Sequence, residues 1–333
     1  MQNSHIFELA RQLMAIPSIS GNEMEVGNFL ASHLTASGYR VEKQEVEPGR
    51  FNVMAYAGKP PRVVLCTHID TVPLTLPVRE DETFLYGRGA CDTKGIIAAM
   101  LEAGDRLREG GIQDFGYLLV VGEETNGCGA RAANSLKWEN EFVIVGEPTG
   151  NKLARAQKGT FMAELTVNGK AAHSGYPEAG VSAIVGLWRV LTDCSSADWG
   201  SDPVLGKGTF NIGIFRGGEA FNVVPASATA TIMIRTIDSR PSVEAKMRSF
   251  TEGRATMNVL GGTNPHVMHV VDGFETTVVS FGSDVPYLGN LGKPLLIGPG
   301  SILDAHTVDE KMRKQELIDG VALYERLVRK LLA

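Results

Sequence analysis

Val63-Val64-Leu65-Cys66-Thr67-His68-Ile69-Asp70 runs from an unbroken apolar stretch straight into a histidine and an aspartate. An apolar run without alternation suits a strand covered on both faces, as in an α/β sheet, and it puts the polar pair at the strand's carboxyl end. Side chains two apart in an extended segment project to one side. Asp70 can therefore accept a proton from one nitrogen of His68 and leave the other nitrogen for a metal. Taken alone, H-x-D is a common chance pattern, and a purely structural histidine remains open at this point.

The same order recurs along the chain. Tyr117 to Val121 leads into Gly122-Glu123-Glu124, Phe142 to Val145 into Gly146-Glu147, and Leu295 to Ile297 into Gly298-Pro299-Gly300. Asp92 sits in Gly87 to Gly95, just before a helix expected from Ile96 to Leu107, and His306 follows the last of these strands. In open α/β sheets the ligand site lies beyond the carboxyl ends of the strands. Carboxylates and imidazoles repeated at that edge are what a paired-metal site requires and what a core does not. Two adjacent glutamates at a turn can point at different targets, one at metal and one at a proton; the alternative for such a pair is a solvated acidic turn.

Outward from this centre, apolar residues at helical spacing predict helices over Ile6 to Met14 and Glu23 to Ser37, with Gly38 as a C-terminal cap, and a closing helix over Lys314 to Leu332. From Lys158 the pattern changes. A strand over Phe161–Val167, a helix over Val181–Leu191, strands over Thr209–Phe215 and Ala228–Arg235, a helix over Val243–Phe250 and a further apolar stretch give an order close to β-α-β-β-α-β. The expectation is an α/β protein: a mixed sheet with helices on both faces, formed by residues 1–157 and 263–333, carrying an inserted α+β ferredoxin-like domain over 158–262.

With 333 residues the chain exceeds the roughly 250–300 beyond which a single core stops growing, so two domains accord with its size. A hydrophobic content of 43% with 21% charged residues is that of an ordinary globular protein. The formal charge of −6, with Lys and Arg scattered, argues against a nucleic-acid partner. No apolar run of about 18 residues occurs and the N-terminus lacks a signal pattern, so the expectation is a cytoplasmic protein with no membrane partner. Cys66, Cys91, Cys128 and Cys194 show no Cys-x-x-Cys spacing and are expected as buried free thiols.

Seven segments, THIDTVP (67–73), YGRGACDTKG (86–95), VGEETNGCGA (121–130), VGEPT (145–149), KAAHSGYPEAG (170–180), GGEAFNVVPA (217–226) and GPGSILDAHTVDE (298–310), together resemble the di-zinc aminoacylase and exopeptidase family. That family contains acetylornithine deacetylase, succinyl-diaminopimelate desuccinylase and glutamate carboxypeptidases. The resemblance implies two divalent metal ions, zinc first with cobalt or manganese as alternatives. It makes His68 and Glu147 ligands of one ion, Glu124 and His306 ligands of the other, and Asp92 the bridge. Asp70 would orient His68, and Glu123 would be the general base. His173 would reach the site from the partner subunit of a homodimer, while Asn222 and Arg235 match positions that hold a substrate carboxylate.

The implied reaction is removal of an acyl group from a small N-acyl-L-amino acid, most like acetylornithine deacetylase, with acetylcitrulline or acetyllysine as other substrates. An exopeptidase or dipeptidase, and a scaffold that kept the fold without the chemistry, are the alternatives. Two departures from the family pattern stand out: Thr67 where a glycine often precedes the first histidine, and too short a stretch before Gly282-Ser283-Asp284 for a helix that many relatives carry.

Overall fold

A computed structural model describes residues 4–57 and 59–333. The chain forms two units, one of Met1–Arg155, Met268–Thr277 and Ser283–Ala333, the other of Ala156–Val267 and Val278–Gly282.

The first unit is built on four parallel strands in the order Phe115–Val120, Val63–His68, Phe142–Val145 and Lys293–Leu296. Every residue of Val63–His68 and Phe115–Val120 is buried, so both faces of these strands are covered, as their unbroken apolar runs require. A hairpin of Arg40–Glu47 and Arg50–Tyr56 adds antiparallel strands beyond Phe115–Val120, and Leu153–Gln157 runs antiparallel beside Lys293–Leu296. The sheet is therefore mixed.

From Val63–His68 the chain crosses through the helix Lys94–Glu109 to the neighbour on one side, then passes to Phe142–Val145 on the other. Crossovers that diverge in this way open a crevice at the carboxyl end of the central strand. His68 stands at that end.

Helices Ser4–Ala15, Lys94–Glu109 and Lys314–Leu332 pack together against the sheet. The last buries Leu317, Val321, Tyr324, Leu327, Val328 and Leu331, one face at helical spacing. Tyr324 also donates its hydroxyl to the carbonyl of Ile297 at 2.7 Å, which ties this helix to the strand that leads toward His306. Met24–Ala36 and Cys128–Ala133 pack on the hairpin strands, and Gly38, at φ +80°, ends the former as a glycine cap. All four cysteines are free; Cys66, Cys91 and Cys194 are buried and Cys128 is partly exposed. Among the described residues, no helix is long and apolar enough to cross a membrane.

The second unit holds an antiparallel four-stranded sheet in the order Thr209–Gly217, Ser227–Thr236, Gly159–Asn168, Thr256–Thr263. Helices Ala183–Ser196 and Arg240–Thr251 cover one face, where Phe161, Leu165, Ile232 and Ile234 meet Leu187, Leu191, Val243 and Met247. Ser182 and Ser239 cap these helices by accepting the N–H of Val185 and Ser242. This is the ferredoxin-like order read from the sequence.

The unit's limits differ from 158–262. The strand Thr256–Thr263 stays paired with Gly159–Asn168 to its last residue, across a register shift between Val259 and Gly261, and His266–Val267 then pairs with Gln157 and Ala156, so the unit runs on to Val267. It also regains Val278–Gly282, where Lys158 donates its backbone N–H to the carbonyl of Val279 at 3.1 Å. Between Thr263 and Gly282 the chain forms short strands and no helix.

Candidate metal centre

Three of the four parallel strands of the first unit deliver a polar side chain at or just past their ends. His68 is the last residue of its strand, Glu147 follows Phe142–Val145 by two residues, and Glu123 and Glu124 follow Phe115–Val120 after Gly122. Gly122 has φ +78°, and a Cβ there would stand 2.5 Å from Cys128 Sγ and 2.9 Å from an Arg50 nitrogen, so the turn that presents the glutamates admits only glycine. Asp92 precedes the helix Lys94–Glu109, and the Asp92–Thr93 peptide is cis. His306 adopts φ +61°, an uncommon backbone for a non-glycine residue.

These side chains converge. Asp92 Oδ1 lies 3.0 Å from His68 Nε2, and Asp92 Oδ2 lies 3.2 Å from His306 Nε2. His306 Nε2 is also 3.0 Å from Glu124 Oε2. His68, Asp92 and Glu124 each offer one ligand atom within 4.8 Å of the others. Glu147 is buried nearby, and the Glu123 and Asp92 carboxylates act on it electrostatically.

Asp70 is placed differently from the simplest reading of H-x-D. The acceptor nearest His68 Nδ1 is the carbonyl of Asp70, at 3.0 Å, with its carboxylate at 3.5 Å. That carboxylate accepts the backbone N–H of Glu123 (3.1 Å) and of Glu124 (3.2 Å) and the hydroxyl of Ser20 (2.6 Å). Asp70 therefore touches His68 and also fixes the main chain that carries both glutamates.

The electrostatics of the cluster call for cations. Burial, with the neighbouring Asp284, Glu124 and Asp92 carboxylates adding to it, pushes Glu123 well above the usual carboxylate range despite the attraction of His68. Burial, Glu123 and Asp92 do the same to Glu147. Asp92 goes the other way: burial opposes its charge, but hydrogen bonds from His306 and His68 hold it below the ordinary value. Hydrogen bonds to Asp92 and Glu124 raise His306 to about 10. Four carboxylates facing two imidazoles, with one carboxylate turned toward both rings, form a donor set of oxygen and nitrogen atoms that fits a pair of divalent cations.

The remaining candidates lie in the second unit. His173 is exposed, pairs through its backbone with Val223, and accepts the Gly175 N–H at Nδ1 (3.1 Å). Asn222 is also exposed, and its carbonyl accepts the Ser174 N–H at 3.0 Å, so His173 and Asn222 come together from segments about fifty positions apart. Arg235 stands near the far end of the strand Ser227–Thr236, opposite Thr160 and Thr209. At ~3.4 Å per residue, the strand from Ser227 to Arg235 spans roughly 27 Å. The structure thus joins His173 with Asn222 and separates both from Arg235.

Three residues at the centre were not singled out from sequence. Glu310 accepts the backbone N–H groups of Cys91 and Asp92 and pairs with Arg88. Asp284, 2% exposed, has an Oδ1 without a hydrogen-bond partner, and burial raises its carboxyl to about 7. Glu310 and Arg88 fall inside matched segments, and Asp284 inside a Gly-Ser-Asp turn, but nothing local to those segments marks a buried carboxylate.

Residues 64–330 match the model of peptidase family M20/M25/M40. A peptidase M20 domain-containing protein of Schizosaccharomyces pombe is 37% identical over 336 residues, covering 97% of this chain and 84% of that protein. A protein of Aspergillus clavatus named probable carboxypeptidase is 35% identical over 371 residues, covering 99% of this chain and 89% of its own. Among solved structures, a tripeptidase from Staphylococcus aureus superposes with a TM-score of 0.84 at 21% identity, covering 99% of this chain and 98% of that one. The matched span takes in every strand-end residue of the centre, and the chain belongs to peptidase family M20/M25/M40.

Proposed function

We propose that this chain is a metal-dependent amide hydrolase that removes the acyl group from an N-acyl-L-amino acid, in the manner of acetylornithine deacetylase. The observation that carries the reading is Asp92 turned toward both His68 and His306, with Glu123 beside Glu124 on the loop held by Asp70. His68 and Glu147 would hold one divalent ion, Glu124 and His306 the other, and Asp92 both, with zinc the first choice and cobalt or manganese the alternatives. When bound, the ions supply Lewis-acid polarisation of the amide carbonyl and make water a stronger acid. Glu123 takes a proton from the attacking water and returns it to the leaving amine, work for which a positioned carboxylate contributes about 10²–10⁴-fold.

Arg235, a planar guanidinium, and Asn222 suit the substrate carboxylate, and His173 suits the reacting carbonyl. His173 would reach the site from the partner subunit of a homodimer, as the family resemblance implies. The strand Thr209–Gly217, at the edge of its sheet, exposes Ile212, Ile214 and Phe215, and Trp188 on the adjacent helix is 61% exposed, so the second unit carries an apolar face suited to a homodimer.

A carboxypeptidase or dipeptidase reaction is the second reading, favoured by the name that the Aspergillus relative bears. Both reactions cleave an amide next to a carboxylate. Turnover of acetylornithine, acetylcitrulline, acetyllysine, succinyl-diaminopimelate and a set of dipeptides by the zinc- and cobalt-loaded protein separates them. Preference for acylated amino acids supports the deacylase, preference for dipeptides the peptidase, and turnover of neither by metal-loaded dimer removes both.

A further inference from the structure

Glu310 is 1% exposed, four residues beyond His306. One carboxylate oxygen, Oε2, accepts from Arg88 Nη1 at 2.6 Å. The other, Oε1, accepts the backbone N–H groups of Cys91 and Asp92, each at 3.3 Å, and the Cys91 thiol at 3.7 Å. The backbone of Glu310 is tied as well, since its carbonyl accepts the N–H of Gly87 at 3.1 Å. Arg88 in turn donates Nε to the carbonyl of Leu74 at 3.0 Å. Leu74 lies on the segment that follows His68 and Asp70, and it holds φ +75°.

Three stretches of chain, those that carry His68, Asp92 and His306, thus meet at one buried ion pair. A buried ion pair by itself is weak grounds for a role, because desolvation offsets much of its attraction. Here the carboxylate also satisfies two main-chain donors, one of them the amide of Asp92, and those donors would be left unpaired without it. A side chain that sets the main chain under a shared ligand sets where that ligand's two oxygens point.

We infer that Glu310, held by Arg88, is a positioning residue for the metal centre: it orients Asp92 between His68 and His306 and couples that orientation to the loop that presents His306. This rests on the metal reading given above. The inference predicts that losing the Glu310 acceptor weakens metal binding while every candidate ligand remains in place.

The test titrates cobalt(II) into the full-length, chelator-stripped protein, following heat and the visible absorption of the bound ion, with kcat and KM measured on the best substrate. Glu310→Met, similar in volume without an acceptor, is expected to bind cobalt about 10–100-fold more weakly with a shifted spectrum. Its kcat should fall more than its KM rises. Glu310→Gln, whose amide oxygen can take the same two N–H groups while its NH2 group cannot accept from Arg88, should recover part of the affinity. Wild-type affinity, spectrum and kcat in Glu310→Met overturn the inference. Arg88→Met leaves the acceptor present but unheld and carries the test if Glu310→Met does not fold: weaker binding and a shifted spectrum support the inference, and wild-type values overturn it. A wild-type protein that takes up neither cobalt, zinc nor manganese overturns the metal reading itself, before any variant is compared.

Discussion

Asp92 Oδ1 lies 3.0 Å from His68 Nε2, although the two residues are 24 positions apart. The other oxygen of the same carboxylate is 3.2 Å from His306 Nε2, so one side chain addresses both rings. An asparagine there offers one oxygen and no charge. Asp92→Asn is expected to lower the metal content of the folded protein from a pair of ions to a single ion or none, read by emission spectroscopy after dialysis. A full complement of metal in that variant would remove Asp92 from the shared position.

Glu123 and Glu124 are neighbours whose N–H groups both reach the Asp70 carboxylate, yet they are expected to answer mutation differently. Glu123→Gln should keep its metal and much of its KM while kcat falls about 10²–10⁴-fold, the contribution of a positioned proton carrier. Glu124→Gln should lose metal. Equal metal loss in both variants would erase the division of labour between them.

How much of this was legible in the sequence depended on how local the signal was. The strand Val63–His68 and the helix Lys314–Leu332 follow from their apolar patterns, and His68, Glu123, Glu124 and Glu147 were visible because each stands at or within a few residues of the end of a buried run. The hairpin strand Arg40–Glu47 was hidden, since Val41 and Val46 are its only apolar residues and its place comes from pairing with Arg50–Tyr56. Hidden too was the small sheet that joins Lys311–Arg313 to Phe84–Tyr86, segments more than two hundred positions apart. Asp70 shows the finer limit: the spacing brought it to His68, but only the folded chain puts the Glu123 and Glu124 amides on the same carboxylate.

Complementation tests the two-chain site. If His173 acts across a homodimer, Glu123→Ala chains and His173→Ala chains, each inactive alone, should form mixed dimers with one intact site. Activity should recover to about a quarter of wild type at equal mixing, because half of randomly assorted dimers are mixed and each holds one good site of two. Trp188→Glu, placed on the exposed apolar face of the second unit, should shift sedimentation toward monomer and prevent recovery. Absence of recovery despite demonstrated subunit exchange would count against the arrangement.

His33 gives the stability a pH dependence away from the candidate metal centre. Burial lowers its pKa against the pull of Asp105, with His5 adding to the lowering, so the folded state disfavours its protonation. With the folded value below the ordinary 6.5, the unfolded chain binds more protons below that pH, and stability is lost as pH falls from 6.5 through the folded value. In urea unfolding at several pH values between 7 and 5, His33→Gln should lose less stability on acidification than wild type. Parallel curves would show that His33 does not contribute.

Gly104 sits in the helix Lys94–Glu109 against the fully buried ring of Tyr117. A Cβ at this position would stand 2.8 Å from Tyr117 Cζ, closer still to its hydroxyl oxygen, and 3.0 Å from Phe115 Cε2. The ring has little room to retreat, because Tyr117 belongs to a central strand and its hydroxyl lies 3.4 Å from both Tyr39 Oη and the Met100 carbonyl. Helix propensity alone would make Gly104→Ala stabilising by about 0.8–1.0 kcal/mol. Overpacking of a dense core costs about 1–3 kcal/mol and here involves two rings at once, so the net effect is expected to be destabilising. Removing the hydroxyl relieves the closest approach but leaves the ring carbon, so Tyr117→Phe should rescue Gly104→Ala only in part. A Gly104→Ala protein with a raised melting temperature would mean that helix propensity wins and that the interface between this helix and the sheet yields more readily than its contacts imply.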